Sequence, residues 1–335
     1  MSDLAEAKAA LLAVHENSEL PALVTMTFEE DGRTFLGTTP EVAALTLSSI
    51  GASAVGVNCS LGPAEVAPLV ARMAEWAPCP LMVQANAGLP HVEDGVTVYD
   101  IGPDEFAAAV APMLEAGVTI IGGCCGTTPD HIAAERALLA GRAPVRREPP
   151  DRFAVCGPQR VASLAPGEVG VIGERINPTG KKKMKEALRS GNHDHVIAEA
   201  IAQERAGAQI LDVNAGLPEI DERAVMCRLV DELLGLNPPA PEDGAPCRFY
   251  RPHWKYREQT TLPLQIDASD PSVIEAAVRS YPGKALINSV NGKAESLAAV
   301  VPIAARYGCA LVGLTLDEDG IPATAEGRLA VARKI

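Results

Sequence analysis

The chain is short of basic residues, of aromatics and of long apolar runs. Lys and Arg number 29 against 43 Asp and Glu, a formal charge of −14, so the surface repels polyanions, and neither nucleic acid nor an anionic membrane is an expected partner. No apolar stretch approaches the ~20 residues that span a bilayer. The opening Met1-Ser2-Asp3-Leu4-Ala5-Glu6-Ala7-Lys8 has neither a basic n-region nor an apolar h-region. The expectation is a soluble, cytoplasmic protein. Eight cysteines in 335 residues are too sparse for a disulfide scaffold, and adjacent Cys124-Cys125 is an awkward start for one. Thiol or metal chemistry is the better expectation.

Against these shortages, 47% of the residues are hydrophobic and 21% charged, an ordinary composition for a chain with a buried core. The length fits two domains, but not two complete barrels of about 250 residues each. Short β-branched apolar runs alternate with Ala/Leu/Glu-rich amphipathic stretches, which predicts an α/β fold with parallel strands.

Four strands are expected in the first part, at Ala22–Phe28, Ser53–Asn58, Pro80–Asn86 and Val118–Gly123, with helices at Glu41–Ile50, Ala64–Trp76 and Pro103–Ala116. From Gly141 to Gly167 the pattern dissolves into Arg, Pro and Gly, which reads as a linker or wrapping segment. Five strands are expected beyond it, at Glu168–Glu174, Gln209–Asn214, Pro263–Asp267, Lys284–Ser289 and Cys309–Thr315, with helices at His195–Ala206, Glu222–Leu234 and Ser272–Ser280. The predicted domains are thus 1–140 and 168–335, joined by 141–167. Residues 235–257 break the rhythm with five Pro and with Phe249, Tyr250, Trp254 and Tyr256. They read as a functional flap, a disordered loop or a locally corrupted reading frame.

In (β/α) barrels the reactive groups stand at the C-terminal ends of the strands. There the first part carries Gly56-Val57-Asn58-Cys59-Ser60-Leu61-Gly62-Pro63 and Gly122-Gly123-Cys124-Cys125-Gly126-Thr127-Thr128-Pro129. Three thiols on one rim can hold Zn²⁺ tetrahedrally with one open position, the arrangement of a catalytic site, whereas a single strand-end Cys usually acts as a small buried hydrophobe. Cys79, Cys156, Cys227, Cys247 and Cys309 lack such a setting. His131 reads as a surface or capping residue of the next helix, with an extra ligand role as the alternative.

These two motifs, with Gln84-Ala85-Asn86-Ala87-Gly88-Leu89-Pro90, resemble the later half of the homocysteine-binding barrel of the cobalamin-dependent methionine synthase family. The resemblance implies Cys59, Cys124 and Cys125 as zinc ligands and homocysteine as the thiol held at the fourth position. Gly173-Glu174-Arg175-Ile176-Asn177-Pro178-Thr179-Gly180, Leu211-Asp212-Val213-Asn214-Ala215-Gly216, Leu264-Gln265-Ile266-Asp267-Ala268-Ser269-Asp270 and Ile287-Asn288-Ser289-Val290-Asn291-Gly292 resemble the pterin-binding barrel that follows in the same family. That barrel is in turn similar to dihydropteroate synthase and corrinoid methyltransferases. Strand ends in Asp, Asn or Glu suit the donors and acceptors of a pterin ring. The implied lining is Asp212 and Asp267 at the pterin edge, completed by Glu174, Asn177, Asn214, Asn288 and Asn291.

The implied activity is methyl transfer to homocysteine from 5-methyltetrahydrofolate by way of methylcobalamin. The sequence contains no Asp-x-His-x-x-Gly, the family's cobalamin signature, so the corrinoid is expected on another domain or protein. No residue is assigned as the acid that protonates the folate. Lys181, Lys182, Lys183 and Lys185 read either as a contact for a folate's glutamate tail or as a solvated helix face; His193 and His195 read as a helix entry. Set against the family, both TIM-barrel-type units are incomplete, with about four and five strands, and a partner chain supplying further strands is one expectation. Two other readings stay open: a methyltetrahydrofolate:corrinoid methyltransferase subunit without the zinc step, and a truncated, catalytically silent chain.

Overall fold

The computed structural model describes residues 1–148, 151–235 and 259–335. Of the aromatic, Pro-rich segment read at 235–257, all but Gly235 lies outside the described residues. The chain divides into two compact units, one formed by Met1–Phe153 with Pro158–Val161, the other by Ala154–Gly157 with Ala162–Ile335.

The first unit holds β1 (Leu23–Met26), β2 (Ala54–Asn58), β3 (Leu81–Ala85), the antiparallel ribbon β4 (His91–Glu93) and β5 (Val96–Val98), and β6 (Val118–Gly123). Strands β1, β2, β3 and β6 form one parallel sheet in that order. After the ribbon β7 (Phe153–Cys156) and β8 (Val161–Leu164), the second unit builds a parallel sheet from β9 (Ile172–Ile176), β10 (Ile210–Asn214), β11 (Leu264–Asp267), β12 (Leu286–Asn291) and β13 (Ala310–Leu314). In both sheets each new parallel strand joins the same growing edge, with no reversal of order. This is (β/α)-barrel winding, as distinct from a doubly wound sheet with its switch point. Among the described residues neither sheet closes, as expected for incomplete TIM-barrel-type units.

Local sequence explains the elements. Helix Pro40–Ile50 begins where the Thr39 hydroxyl accepts from the Val42 N–H (3.4 Å), with Pro at its first position, and ends at Gly51 with φ 105°, which a residue with a Cβ adopts only under strain. Its Val42, Ala43, Ala44, Leu47 and Ile50 are buried against the sheet. Strand β2 is buried at Ala54, Val55, Gly56 and Val57, and a Cβ on Gly56 would stand 1.8 Å from the Met82 carbonyl oxygen. Here the backbone of the neighbouring strand comes too close for any side chain.

Three expectations need correction. Strand β9 begins at Ile172 and not at Glu168, because Glu168 closes a turn: its backbone N–H donates to the Ala165 carbonyl (3.1 Å) and its carboxylate accepts from the Ala165 N–H (2.8 Å). The interval 141–167 is not a plain linker, since it holds β7 and β8; Ala154, Val155 and Cys156 are all buried, and Val155 packs against Ile210 and Leu286. Before them, Arg147 fastens the chain to the first unit. Its guanidinium donates to the carbonyls of Ala74 (3.1 Å) and Ala77 (2.7 Å) and to that of Cys79, satisfying acceptors left open beyond helix Pro63–Ala74. His193 does precede a helix, Asp194–Arg205, but it is also buried, with Nδ1 3.0 Å from Glu232 Oε2.

Replacing Arg147 by Leu orphans three carbonyls and is expected to lower the first unit's stability by about 2–4 kcal/mol, read as a fall in the urea midpoint. A second outcome concerns Glu135, 2% exposed, with Oε1 unpartnered among the described residues. Burial pushes its carboxyl up to about 7, against the opposing pull of His131. The folded state therefore holds a proton that the unfolded chain releases, so this contribution is full below the ordinary carboxylate range and is lost as pH rises through about 7. Glu135→Gln should flatten that slope, worth on the order of 2 kcal/mol between pH 5 and pH 8, in paired denaturation curves.

Candidate functional site

In the first unit, register decides which side chains meet. Asn58 pairs with Gln84 and Gln84 with Gly122, while Ala85 pairs with Gly123. Cys59 thus leaves its strand level with Ala85 and Gly123, and Cys124 follows one residue later. Cys59 and Ser60 both take positive φ (62° and 63°), a costly conformation for residues with a Cβ. The Cys59 N–H bonds to the Gln84 carbonyl (2.9 Å) and the Cys124 N–H to that of Ala85 (2.8 Å).

The outcome is a cluster of three thiols. Cys59 Sγ lies 3.7 Å from Cys125 Sγ, Cys125 Sγ lies 3.9 Å from Cys124 Sγ, and all three are within 4.8 Å of one another. A tetrahedral zinc with Zn–S of about 2.3 Å requires sulfur atoms about 3.8 Å apart. The donor set therefore fits Zn²⁺, with a fourth position left for a ligand. Supporting amides fix it: Asn86 Oδ1 accepts from the Cys125 N–H (3.1 Å) and Asn58 Nδ2 donates to Cys124 Sγ (3.8 Å).

The thiols differ in acidity. Burial opposes ionisation of Cys59, but hydrogen bonds from the Ser60 backbone and from Cys124, Cys125 and Asn86 outweigh it and hold this thiol below the usual range. Cys124 is pushed up to about 11 by burial and by its neighbour Cys59. A cation supplies what lets all three ionise together.

His131 is not part of this cluster. Its Nε2 lies 2.9 Å from the Ile101 carbonyl oxygen and its Nδ1 accepts from the Thr128 N–H (3.2 Å), so both ring nitrogens are occupied. It completes the capping of helix Pro129–Leu139. Tyr99 was missed by sequence reasoning. It stands beside Cys125, and burial together with the three thiols raises its phenol pKa. A Cβ on Gly126 (φ 79°) would fall 2.3 Å from its ring. That Gly is the one sequence trace of the contact.

In the second unit, Asp212 pairs in register with Gln265, Asn214 with Asp267, and Asp267 with Asn288. In-register parallel residues project to one face, and alternate residues of a strand share it. Asn214 Nδ2 donates to Asp267 Oδ2 (2.9 Å); Gln265 Nε2 and Asn288 Nδ2 (3.3 Å) both donate to Asp212 Oδ1. Asp212 is 1% exposed, and its Oδ2, like Gln265 Oε1, has no partner among the described residues. Two buried acceptors left open side by side call for a donor-bearing ligand. Burial raises the Asp212 carboxyl, as do the charges of Asp267 and Glu174; burial and Glu174 raise that of Asp267.

Of the residues expected to line this site, the structure thus brings Asp212, Asn214, Asp267 and Asn288 together, with Glu174 facing them by charge. Asn177 and Asn291 instead hold local turns, Asn177 Oδ1 accepting from the Thr179 N–H (2.9 Å) and Asn291 Oδ1 from the Lys293 N–H (3.0 Å). Gln265 joins the cluster although its role was not read. The signal was its place two residues before Asp267 on one strand. Gln265→Leu removes a hydrogen bond that favours ionised Asp212 and should move that carboxyl further upward in a ¹³C NMR titration.

Residues 1–139 match the family model described as homocysteine S-methyltransferase, and residues 252–331 the one described as pterin binding enzyme. Asp267, Asn288 and Asn291 fall inside the second match; Glu174, Asn177, Asp212 and Asn214 precede it. Methionine synthase of Mycobacterium tuberculosis (strain ATCC 25618 / H37Rv) is 30% identical over 351 aligned positions, covering 99% of this chain and 27% of that protein. Methionine synthase of Mycobacterium leprae (strain TN) gives the same identity and coverage. The chain spans about a quarter of the length of these curated relatives. A solved dihydropteroate synthase from Xanthomonas albilineans aligns with 94% of this chain and 93% of that chain at 16% identity, with a TM-score of 0.23. The motif resemblance to methionine synthases therefore runs along the chain, with a homocysteine S-methyltransferase match followed by a pterin-binding one.

Proposed function

We propose that this chain, aligned along 99% of its length with methionine synthases, carries two half-reactions of methyl transfer in methionine synthesis. The first unit activates homocysteine and the second binds 5-methyltetrahydrofolate. The observation that carries the reading is the sulfur triangle of Cys59, Cys124 and Cys125, whose 3.7 and 3.9 Å edges suit one tetrahedral zinc. Zn²⁺ bound there supplies Lewis acidity that keeps a substrate thiol ionised near neutral pH. The chain's own part is to hold three sulfurs on one side, leave the fourth direction open, and fix Cys124 and Cys125 through Asn58 and Asn86.

In the second unit the open acceptors Asp212 Oδ2 and Gln265 Oε1 suit the N–H donors of a reduced pterin, and Asp267 with Asn214 continues the same polar face. Loss of methyl from N5 is easier when that nitrogen is protonated or polarised. Asp212 and Asp267, both with raised carboxyl pKa, are the groups nearest to holding a proton there. The sequence has no cobalamin signature, and in this reading the corrinoid belongs to another domain or protein. His131, with both ring nitrogens occupied, and the buried Glu135 take no part.

The direct test is zinc per chain on purified protein. About one zinc is expected, lost in Cys59→Ser and in Cys124→Ser/Cys125→Ser, and methyl transfer from a supplied methylated corrinoid to homocysteine should fall by at least about 10³-fold in both, as befits loss of the activating metal. Metal-free soluble protein would overturn the zinc half of the reading. Folate binding by that same protein would leave a methyltetrahydrofolate:corrinoid methyltransferase.

A further inference from the structure

Once a cation lets the three thiols ionise, the S–H donors among them are gone, and each sulfur keeps only the hydrogen bonds supplied from outside the triangle. Cys59 has the Ser60 backbone N–H and Asn86, and Cys124 has Asn58 Nδ2 (3.8 Å). The third sulfur is the most accessible, since Cys125 is exposed whereas Cys59 and Cys124 are half-buried. Its main chain is spent elsewhere, the N–H on Asn86 Oδ1 (3.1 Å) and the carbonyl on the Ala87 N–H (2.9 Å). What reaches the sulfur is the hydroxyl of Tyr99, through a side-chain hydrogen bond.

The fold builds Tyr99 into that place. It directly follows β5 and stands four residues before helix Pro103–Glu115. Two residues on, the Ile101 N–H donates to the Ala87 carbonyl (3.1 Å), and Ala87 in turn donates to Cys125, so the segment carrying the phenol is pinned to the residue it serves. His131 Nε2 meets the Ile101 carbonyl from the other side (2.9 Å), and His91 Nδ1 lies 3.3 Å from Asp100 Oδ2, which ties the ribbon β4–β5 to the residue after Tyr99. The ring rests against Gly126, where a Cβ would fall 2.3 Å from it. Glycine after Cys125 is therefore what lets the phenol cover the loop.

We propose that Tyr99 is a positioning residue of the metal centre: its hydroxyl donates to Cys125 Sγ and lowers the nucleophilicity of that ligand, so that methyl is accepted by the substrate thiol and not by the protein's most exposed sulfur. The inference rests on the zinc reading of the first unit and adds a specificity determinant to it. A tetrahedral site places its fourth ligand about 3.8 Å from each cysteine sulfur. A methyl donor that reaches the substrate thus also reaches Cys125. A thiolate that shares its charge with a hydrogen bond is the poorer nucleophile and the weaker electron donor.

The test compares the full chain with Tyr99→Phe and Tyr99→Leu, each loaded with zinc or with Co²⁺. Phe keeps the ring against Gly126 and removes only the hydroxyl; Leu removes both. Iodomethane is the methyl donor: a cysteine sulfur forms the S–CH₃ bond as the C–I bond breaks and iodide leaves, and peptide mass mapping reads the product at each cysteine. In Tyr99→Phe, methylation of Cys125 should run at least about threefold faster with Cys59 and Cys124 unchanged, as for part of one hydrogen bond to a charged group. The sulfur-to-cobalt charge-transfer band should move to lower energy at unchanged metal content, and Tyr99→Leu should match on both measures.

A Tyr99→Phe chain that behaves like the unaltered one, or methylation that rises equally at all three cysteines, overturns this role and leaves the zinc reading standing. A departure confined to Tyr99→Leu assigns the ring to packing and overturns it too. Loss of the tetrahedral cobalt spectrum in Tyr99→Phe makes the phenol itself a ligand and again overturns it. An unaltered chain that takes up neither metal sinks the zinc reading and this inference together.

Discussion

The constraint on which both candidate sites depend is the register of parallel strands. Backbone hydrogen bonding sets Asn58, Gln84 and Gly122 in one row, and Asp267 level with both Asn214 and Asn288. Because the bonds of a parallel sheet repeat evenly, every strand delivers its last residues to the same rim. The thiols of Cys59 and Cys124 meet there without any contact between their own segments being needed to draw them together. A slip of one residue in β2 would turn Cys59 to the opposite face and undo the triangle.

The two rims answer different chemical demands with the same scaffold. In the first, glycines and left-handed backbone bring sulfur atoms to within 3.7–3.9 Å, a spacing that sets thiolates against one another unless a cation lies between them. In the second, carboxylates and amides crowd into a largely dry face, and the hydrogen bonds from Gln265 and Asn288 spend one oxygen of Asp212 while leaving the other open. Both arrangements hold unfavourable electrostatics in place, and the apolar layer behind them, Val55, Val57, Val83, Leu211, Val213, Ile266 and Ile287, supplies the rigidity to do so.

Much of this was legible before any coordinates. Alternating β-branched and amphipathic stretches located all nine strands of the two parallel sheets to within a few residues, except the start of β9, where a polar turn ran into the apolar pattern. The thiol cluster was legible because Cys is rare and both motifs fall at strand ends. The ribbon β4–β5 and the place of Tyr99 were not, since short polar strands carry little periodic signal. Nor was the anchoring by Arg147, whose partners are backbone carbonyls and leave no trace in residue type. Asn177 and Asn291 each accept from a backbone N–H two residues on, as Asn214 also does; an Asn at a strand end serves a loop turn as readily as a ligand, and type alone does not separate the two.

By itself the sequence determined the class of fold, the order of its elements, the identity of the three sulfur donors and the family resemblance, because these follow from residue type, periodicity and spacing along the chain. Tertiary structure decided which polar groups are left without partners: that His131 has both nitrogens occupied, that Asp212 and Gln265 each keep a buried acceptor open, and that lysines from one helix turn enclose a cavity with Arg175 and His195. The reason is physical. Whether a polar atom is satisfied depends on neighbours distant in sequence that only register and packing bring within hydrogen-bond reach, and it is the unsatisfied atoms that mark where a ligand belongs.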